Sequence, residues 1–460
     1  MGVNKEFLRA ESSFVDYDER LDTMLRDSVS IYDQVLYYFR AEYFRCRDLD
    51  WNEIPVYPKK FDLVNMIRPT DAFVNSKLDI NVKKDIAYQV KSNWNGWINS
   101  KEDFKKNPQK YTGEPKMPRY KYRTKTYNSI SIDKTRFRGN NPRKITLPCS
   151  DYEVTIPSNL KKEWITMIKI KSEHNRFKFT FIYDRNRKYM DELSEKKVKS
   201  IPYVSKSKAL GIDLGVKNLL TCVTFGLDIE DSFIIRGHEL KQKINETNDE
   251  VARLESLAMK SKNPEITKIS KKNDKLVLFK TSKAMSDELF SYNNFNSTYI
   301  HNLTSMIRDY CLENGIGKVV IGHNEFWKQN SNIGTDNNRM FCSISHSKII
   351  SELEMKLKDV GIELVEVEES YTSKCDHLAG ETMEHHEKYL GKRKKRGLFL
   401  SSTGRLINAD CNGAIGILRK ANVIRDAADN SSLLDRGDVV SPRVLNVRGF
   451  VPLKQRSVKK

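Results

Sequence analysis

The chain has 460 residues, and its 80 lysine and arginine residues against 61 aspartate and glutamate residues give a formal net charge of +19. This length exceeds what one hydrophobic core organises, so we expect two or three domains. The positive charge favours a polyanionic partner, above all nucleic acid. No apolar run is long enough to cross a bilayer, which excludes the usual pattern of an integral membrane protein.

Two further features of composition indicate the cellular setting. The first residues lack the apolar core of a signal peptide. The seven cysteines are scattered and never form a Cys-x-x-Cys pair, as is typical of a protein in a reducing cytosol rather than of a disulfide framework. We therefore expect a cytoplasmic protein without a membrane partner.

The first hundred residues have the periodicity of helices. Apolar side chains recur every three or four positions over residues 14–47 and again over residues 79–97. Pro55, Pro58 and Pro69 separate the two runs. The pattern predicts a helical module over residues 1–105.

Short alternating runs replace the helical pattern over residues 106–205. The clearest is Phe-Lys-Phe-Thr-Phe-Ile-Tyr at residues 177–183, which predicts a strand. The stretch around residue 120 is rich in lysine, arginine and tyrosine, residue types that neutralise phosphates and stack on bases. We expect a small β-barrel here, with these candidate nucleic-acid contacts: Arg119, Tyr120, Lys121 and Tyr122. Any one of the tyrosines could instead fill the barrel core.

A carboxylate in the middle of an apolar strand opens the second half of the chain. Gly211-Ile212-Asp213-Leu214-Gly215 predicts a strand that carries one acid and ends in a glycine turn. Residues 219–225 and 232–235 are predicted as the second and third strands of a meander. Residues 240–309 are predicted as lysine-rich helices interrupted near residue 263.

Two later segments also bring acids to the ends of predicted elements. A buried strand over residues 318–322 ends at Gly322, and an amphipathic helix is predicted over residues 345–360. The strand that follows ends in Glu368 and Glu369, and Asp410 stands near the start of another predicted helix. Alternating strands and helices of this kind predict a mixed α/β sheet.

The acids suggest a metal site. If the strands are neighbours, Asp213, Asp410 and one of the two glutamates could meet at one end of the sheet. Oxygen ligands suit Mg²⁺ or Mn²⁺, and two such ions can assist phosphodiester cleavage. Acids at strand ends are common, so ordinary surface carboxylates are the alternative.

Four sequence motifs point to a particular protein family. GIDLGVKN, EESYTSK, GKRKKRGLF and INADCNGAIGILRK occur in this order between residues 211 and 420. They resemble the motifs of TnpB, the RNA-guided nuclease family of insertion-sequence transposons, which is related to the type V CRISPR effectors and to Fanzor. The resemblance covers about half the chain.

The resemblance implies a multi-domain α+β protein. The N-terminal helical recognition module and a wedge β-barrel would precede an RNase H-like (RuvC) α/β nuclease domain over residues 206–420. That domain would contain a helical insertion at about 238–312 and a degenerate zinc-ribbon or target-nucleic-acid-binding loop at about 372–405, and residues 421–460 would form a polar tail. Further candidate nucleic-acid contacts lie in the loop: Lys392, Arg393 and Arg396.

The resemblance also implies roles for the acids. By motif, Asp213 is the first catalytic and metal-binding acid and Asp410 the third. Many family members carry glutamate where this chain has Gly322, whereas some place it just before the Thr-Ser motif, where Glu369 stands. Adjacent strand residues point to opposite faces, so only one of Glu368 and Glu369 should reach the metals. We predict Glu369, with Glu368 and Glu325 as rivals.

Zinc is not expected to bind this chain. Many relatives carry four cysteines after the Thr-Ser motif, whereas the only candidates here are Cys375, His377, His385 and His386. They lack the paired spacing of a zinc ribbon. The expectation is therefore a loop without a metal.

The function implied by the resemblance is that of a divalent-metal-dependent, RNA-guided DNA endonuclease of a transposon. Its partners would be an omega-type guide RNA and target DNA, and its location would be the cytoplasm of a prokaryotic cell, in association with the nucleoid. One alternative is a nuclease-dead RNA-guided DNA-binding protein that represses transcription. Another is an accessory protein that binds nucleic acid without a guide. The sequence leaves the oligomeric state open.

Overall fold

The structure is a computed structural model that describes residues 7–122, 126–148, 150–195, 200–260, 268–272, 275–279, 282–323, 344–395, 397–425, 433 and 436–447. The chain divides into two compact units, residues 1–199 and 200–460. In the part of the chain that is described, no helix has the length and apolar character needed to cross a membrane.

The first unit combines helices with an antiparallel sheet. Its α-helices are α1 (Glu19–Asp48), α2 (Lys60–Ile67), α3 (Asp71–Val74), α4 (Ile80–Lys106) and α5 (Arg185–Ser194). Its 3-10 helices are Pro108–Lys110, Lys134–Arg136 and Lys162–Trp164. Its strands are β1 (Leu8–Val15), β2 (Ile130–Asp133), β3 (Lys144–Thr146), β4 (Glu153–Thr155), β5 (Ile165–Glu173) and β6 (Arg176–Asp184).

The two long helices begin at capping aspartates. The Asp18 carboxylate accepts a hydrogen bond from the backbone N–H of Arg20 at the start of α1, and Asp79 accepts one from Asn81 at the start of α4. Such caps satisfy N–H groups that have no partner within the helix. Both helices were predicted from the apolar periodicity, but the predicted start of the first, residue 14, is wrong because Phe14 lies in β1.

One core joins the helices of this unit to its sheet. The sheet has the order β1-β6-β5-β2, and β3 and β4 form a separate hairpin. Phe179 and Phe181 of β6 lie in the same hydrophobic cluster as Phe39 of α1 and Trp94 of α4. The predicted boundary at residue 105 therefore does not separate two cores. Among the described residues the strands form an open sheet and a hairpin, and the expected barrel is not seen to close.

The second unit is a mixed α/β structure. Its helices are α6 (His238–Lys260), α7 (Lys283–Glu313), α8 (His346–Lys358) and α9 (Ala409–Lys420). Its first strands are β7 (Ser205–Leu214), β8 (Leu220–Phe225), β9 (Ser232–Ile235), β10 (Lys268–Lys272), β11 (Lys275–Phe279) and β12 (Ile316–Gly322). The later strands are β13 (Glu363–Val367), β14 (Lys392–Lys395), β15 (Leu398–Leu400), β16 (Leu406–Asn408) and β17 (Arg443–Leu445).

A six-stranded sheet organises this unit, in the order β13-β12-β7-β8-β9-β17. Strands β7, β8 and β9 form an antiparallel meander, whereas β12 runs parallel to both β7 and β13. One face of the sheet packs against α6, α7 and α8, and the other packs against α9. A side chain at Gly211 would place its Cβ 2.6 Å from Cγ of Leu418, so the glycine lets α9 lie directly on β7.

Two parts of this unit differ from the prediction. The insertion between β9 and β12 contains the hairpin β10–β11 as well as two helices, and the predicted interruption near residue 263 lies outside the described residues. The described part of the tail belongs to the unit, because β17 pairs with β9 and the guanidinium of Arg436 donates to the carbonyl of Thr224 (2.7 Å). The predicted domain end at residue 420 is therefore too early.

Candidate active site

Three parallel strands end at one edge of the central sheet. Ile212 of β7 is paired with Ile321 of β12, and Gly322 is paired with Val367 of β13. Asp213 therefore lies beside the end of β12, and Glu369 follows the end of β13 by two residues. The carboxyl ends of parallel strands are the usual place for a functional site in an α/β sheet.

Asp213 projects from the sheet face covered by α9. A Cβ at Gly413, in the first turns of α9, would stand 3.0 Å from Oδ2 of Asp213. The glycine thus allows the helix to approach the carboxylate. Burial raises the pKa of Asp213 well above its usual range, and the negative charges of Glu369 and Asp410 raise it further, whereas the positive charge of Arg393 lowers it.

Glu369 fills the space where a side chain on Gly322 would stand. A Cβ built on Gly322 would lie 2.6 Å from both Cγ and Oε1 of Glu369. Burial raises the pKa of Glu369 to about 7, and the charge of Lys420 opposes the rise. Its neighbour Glu368 is exposed, and the carbonyl of Glu368 accepts a hydrogen bond from Nζ of Lys420 (2.7 Å). The third candidate, Glu325, lies outside the described residues.

Asp410 is held at the start of α9. The side chain of Asn408 caps this helix by accepting from the N–H groups of Asp410 (2.9 Å) and Cys411 (3.2 Å). Nδ2 of Asn218 donates to Oδ2 of Asp410 at 2.6 Å, and Nη2 of Arg393 lies 3.7 Å from Oδ1. The sequence prediction missed Asn218, although this residue closes the same GIDLGVKN string that contains Asp213.

A cleft of about 660 Å³ opens over two of these acids, Asp213 and Asp410. Its lining also contains the cationic residues Lys217, Arg236 and Arg393. Nζ of Lys241 donates to the backbone carbonyls of Lys217 (2.5 Å) and Arg236 (3.1 Å), which links the turn after β7 to the end of β9. The cleft thus combines carboxylates with positive charges, as a phosphodiester substrate with metal ions requires.

The chemical type of the three side chains, Asp213, Glu369 and Asp410, suits a hard divalent cation. Aspartate and glutamate oxygens are the ligands that Mg²⁺ and Mn²⁺ prefer. Within the described ranges, no group of three or more His, Cys, Asp or Glu side chains could hold a metal ion as the side chains stand. The charges of Glu369 and Asp410 nevertheless act on Asp213. A bound cation would relieve this repulsion.

Three of the four candidate zinc residues, Cys375, His377 and His386, have hydrogen-bond partners within the protein. Nε2 of His377 hydrogen-bonds to the carbonyl of Thr372 (2.7 Å), and Nη1 of Arg419 donates to Nδ1 of the same ring (3.0 Å). The Cys375 thiol donates to the carbonyl of Thr382 (3.3 Å). His386 bonds to that carbonyl as well (2.8 Å), and His385 is exposed. Both ring nitrogens of His377 are therefore engaged in hydrogen bonds within the protein.

Hydrogen bonds from charged side chains hold the segment that contains these residues. Oδ2 of Asp376 accepts from Oγ of Ser401 (2.9 Å) and from the N–H of Ser402 (2.6 Å). The Glu381 carboxylate accepts from the N–H of Asp376 (2.7 Å), and Arg419 donates to the carbonyl of Glu381 (2.8 Å). Charge-assisted bonds of this kind are stronger than neutral ones.

The candidate nucleic-acid contacts differ in exposure. Arg119 and Tyr122 are exposed, whereas Tyr120 and Lys121 are partly buried. The ammonium of Lys121 donates to Oδ1 of Asn128 and lies 4.3 Å from the centre of the Tyr32 ring. Because its charge is engaged inside the unit, Lys121 is poorly placed to contact a phosphate, contrary to the prediction. In the second unit Lys392 and Arg393 are exposed, and Arg396 lies outside the described residues.

Comparisons with known proteins identify two regions of the chain. The OrfB_IS605 family model, described as a probable transposase, matches residues 193–327. The model of the Cas12f1-like TNB domain matches residues 346–417. No curated protein matches the sequence significantly.

The structure is also similar to solved RNA-guided effectors. The Cas12f1–sgRNA–target DNA complex has a TM-score of 0.48 at 16% identity, covering 86% of this chain and 81% of that chain. A CRISPR–Cas12f ternary complex has a TM-score of 0.31 at 14% identity, with coverage of 86% and 80%. The mini-RNA-guided endonuclease CRISPR-Cas_phi3 has a TM-score of 0.46 at 10% identity, with coverage of 91% and 92%.

The two family models follow each other in the order of the four motifs. The first contains GIDLGVKN, and the second contains EESYTSK, GKRKKRGLF and the greater part of INADCNGAIGILRK. They confirm the resemblance to TnpB. Residues 193–327 are thus similar to the OrfB_IS605 probable-transposase family, and residues 346–417 are similar to the Cas12f1-like TNB domain.

Proposed function

We propose that this protein is the RNA-guided DNA endonuclease of a transposable element. Asp213, Glu369 and Asp410 would hold Mg²⁺ or Mn²⁺ and carry the hydrolysis of a DNA phosphodiester bond. The observation that carries the proposal is the partly buried carboxyl of Asp213 in the cleft beside Asp410. Desolvation and the charges of the other two acids raise its pKa. Concentrating negative charge at a sheet edge is costly unless a cation compensates for it.

The topology of the second unit supports a RuvC-type assignment. An antiparallel meander is followed by two parallel strands on the other side of its first strand, which is the strand order of the RNase H-like fold. The first acid lies on that first strand and the third at the start of the helix that packs on it. Residues from about 238 to 312 would be the insertion of this domain.

Divalent ions, when bound, would activate a water molecule and stabilise the charge that develops on the leaving oxygen. The chain's own residues prepare the site for them. Asn218 and Arg393 fix the orientation of Asp410, and Gly322 leaves the room that Glu369 enters. Lys217 and Arg236 on the cleft wall would bind phosphates of the strand to be cut.

Guide RNA and target DNA are the proposed partners. A TnpB-like protein of this kind would obtain its sequence specificity from base pairing, while the protein recognises a short flanking motif and the shape of the heteroduplex. The net charge of +19 supports a partner of this kind. Such a function would place the protein with the nucleoid DNA of a prokaryotic cell.

Replacement of the two adjacent glutamates tests the assignment of the second acid. Glu369→Gln should lower the rate of Mg²⁺-dependent cleavage of matched DNA by on the order of a hundredfold or more, because it removes a metal-binding charge. Glu368→Gln is the matched control and should leave the rate within about twofold, because Glu368 is exposed. The opposite result would assign the second acid to Glu368, and two unaffected variants would exclude both.

A further inference from the structure

The segment formed by residues 118–122 is bound along helix α1. Nη1 of Arg40 donates to the carbonyl of Pro118 (2.8 Å). The carboxylate of Asp33 accepts from the N–H groups of Lys121 (2.7 Å) and Tyr122 (2.9 Å). These bonds fix a segment without regular secondary structure onto a rigid helix, so side chains from both can form one surface.

Tyrosine rings dominate that surface. Tyr37 is 56% exposed and Tyr122 is 60% exposed, and both neighbour the partly buried Tyr120. The ring centres of Tyr120 and Tyr122 are 6.3 Å apart. The two ring planes are tilted by 60°. Single exposed apolar side chains are common on proteins, whereas two exposed tyrosines beside a third form a larger aromatic surface.

Cationic side chains accompany these rings. The guanidinium of Arg40 lies 5.1 Å from the centre of the Tyr120 ring and 5.5 Å from that of Phe44, and Arg119 is exposed. The carboxylate of Asp33, which contacts the same segment, accepts from backbone N–H groups. Two turns beyond Arg40 along α1, Arg47 is paired with Asp48 (2.7 Å) and adds little net charge.

We propose that this aromatic–basic platform (Tyr37, Arg40, Arg119, Tyr120 and Tyr122) binds single-stranded nucleic acid. Tyr37 and Tyr122 stack on unpaired bases and Arg119 binds an adjacent phosphate, while Arg40 contributes positive charge beside the Tyr120 ring. Stacking of a base on an aromatic side chain contributes about 1–3 kcal/mol and tolerates any base sequence. The inference rests on the proposed function only in its choice of nucleic acid as the partner.

Binding of short oligonucleotides to the full chain, without guide RNA and without Mg²⁺, tests the platform. Fluorescence anisotropy compares a labelled ten-nucleotide oligo-uridine with an abasic strand of the same length. We expect the wild-type protein to bind the strand with bases about tenfold more tightly. Tyr37→Ala/Tyr122→Ala should abolish this preference while leaving the affinity for the abasic strand within about twofold. Arg119→Gln should weaken binding of both strands equally.

Two control variants keep the result interpretable. Tyr37→Phe/Tyr122→Phe retains the rings and should retain the preference, which excludes a mere folding defect in the alanine variant. Tyr203→Ala removes a tyrosine of the second unit that is 88% exposed and should change nothing. A preference that persists in the alanine double variant, or one that the phenylalanine variant also loses, overturns the proposal.

Parallel titrations with oligo-deoxythymidine identify the natural strand. Tighter binding of the RNA points to an unpaired part of a guide RNA, and equal or tighter binding of the DNA points to a displaced DNA strand. Both results support the platform. Because the assay involves neither cleavage nor metal, a negative result leaves the proposed nuclease activity untouched, and an inactive nuclease leaves the platform untouched.

Discussion

At the scale of single residues, the side chain of Glu369 fills the space that a side chain at position 322 would otherwise take. Gly322 at the end of β12 has no side chain, and Glu369, which follows β13, lies there instead. Cδ1 of Ile417 borders the same space, 2.6 Å from a Cβ built on the glycine. A site of this kind depends on the glycine as much as on the acid. Gly322 is therefore a positioning residue in the proposed reaction.

Gly322→Ala should displace the Glu369 carboxylate and lower the cleavage rate about tenfold or more, because the added methyl group cannot be accommodated without a shift. The measurement is single-turnover cleavage of matched DNA, with thermal unfolding to verify folding. Gly437→Ala is the matched control, because a Cβ there meets nothing within 4 Å. In a Glu369→Gln background, Gly322→Ala should cause little further loss of cleavage rate, because the carboxylate that it displaces is already absent. Full additivity would show that the glycine acts elsewhere.

Asn218 orients Asp410 from a distance of 192 residues in sequence. Asn218→Ala should raise the Mg²⁺ concentration needed for half-maximal cleavage by about 10–100-fold, the usual effect of removing a group that orients a metal ligand. Asn218→Asp should be worse, because it places a like charge beside Asp410. Cleavage measured over a Mg²⁺ titration separates these effects from a general loss of rate. An unchanged Mg²⁺ requirement in Asn218→Ala would contradict the role.

At the scale of elements, a buried neutral histidine holds the segment between β13 and α9. Burial lowers the pKa of His377 to about 4, from an ordinary value of 6.5, and the nearby Arg419 charge lowers it as well, while the Thr372 carbonyl opposes the shift. Below pH 6.5 the unfolded chain binds a proton that the folded chain does not. The stability contributed by His377 is therefore complete above pH 6.5 and is lost as the pH falls towards 4.

The free energy of unfolding lost through protonation of His377 is about 3 kcal/mol at most, given the size of this pKa shift. Thermal unfolding of the wild-type protein and of His377→Gln between pH 7.5 and 4.5 measures it. The melting temperature of the wild type should fall more steeply with decreasing pH, so that the difference between the two proteins narrows. Parallel pH profiles for the two proteins would mean that His377 does not titrate as described.

Local patterns allowed much of the second unit to be predicted. The alternation around Asp213 predicted β7, and the apolar run over residues 318–322 predicted β12, which begins two residues earlier. The capping residue Asn408 marks the start of the helix that carries Asp410. Each of these signals lies within about ten residues of sequence, and a strand or helix forms largely from such local preferences.

Contacts between distant segments could not be predicted in the same way. Leu8 in β1 is paired with Asp184 in β6, and Val444 in β17 with Ile234 in β9. The local sequence of β1 or β17 does not indicate which strand it will pair with. The hydrogen bonds of His377 likewise arise from residues that the chain brings together only on folding. The sequence lacks the four cysteines of a zinc ribbon, but this absence did not indicate which hydrogen bonds would hold the segment between β13 and α9.

At the scale of the whole molecule, the two units carry different parts of the proposed activity. The first presents aromatic and cationic side chains on a helical scaffold, and the second gathers three acids at a sheet edge. Guided binding and cleavage should therefore be separable by mutation. Loss of the acids should leave binding intact, because the proposed platform belongs to the first unit alone.

Cleavage by the full chain, purified with the RNA that accompanies it and given DNA that matches this RNA, tests the central claim most directly. We predict cutting that requires both the match and Mg²⁺. Asp213→Ala should reduce it by on the order of a thousandfold or more while the protein still binds matched DNA. Undiminished cutting by Asp213→Ala would contradict the claim. So would a wild-type complex that binds matched DNA and never cuts it, the behaviour expected of a nuclease-dead repressor.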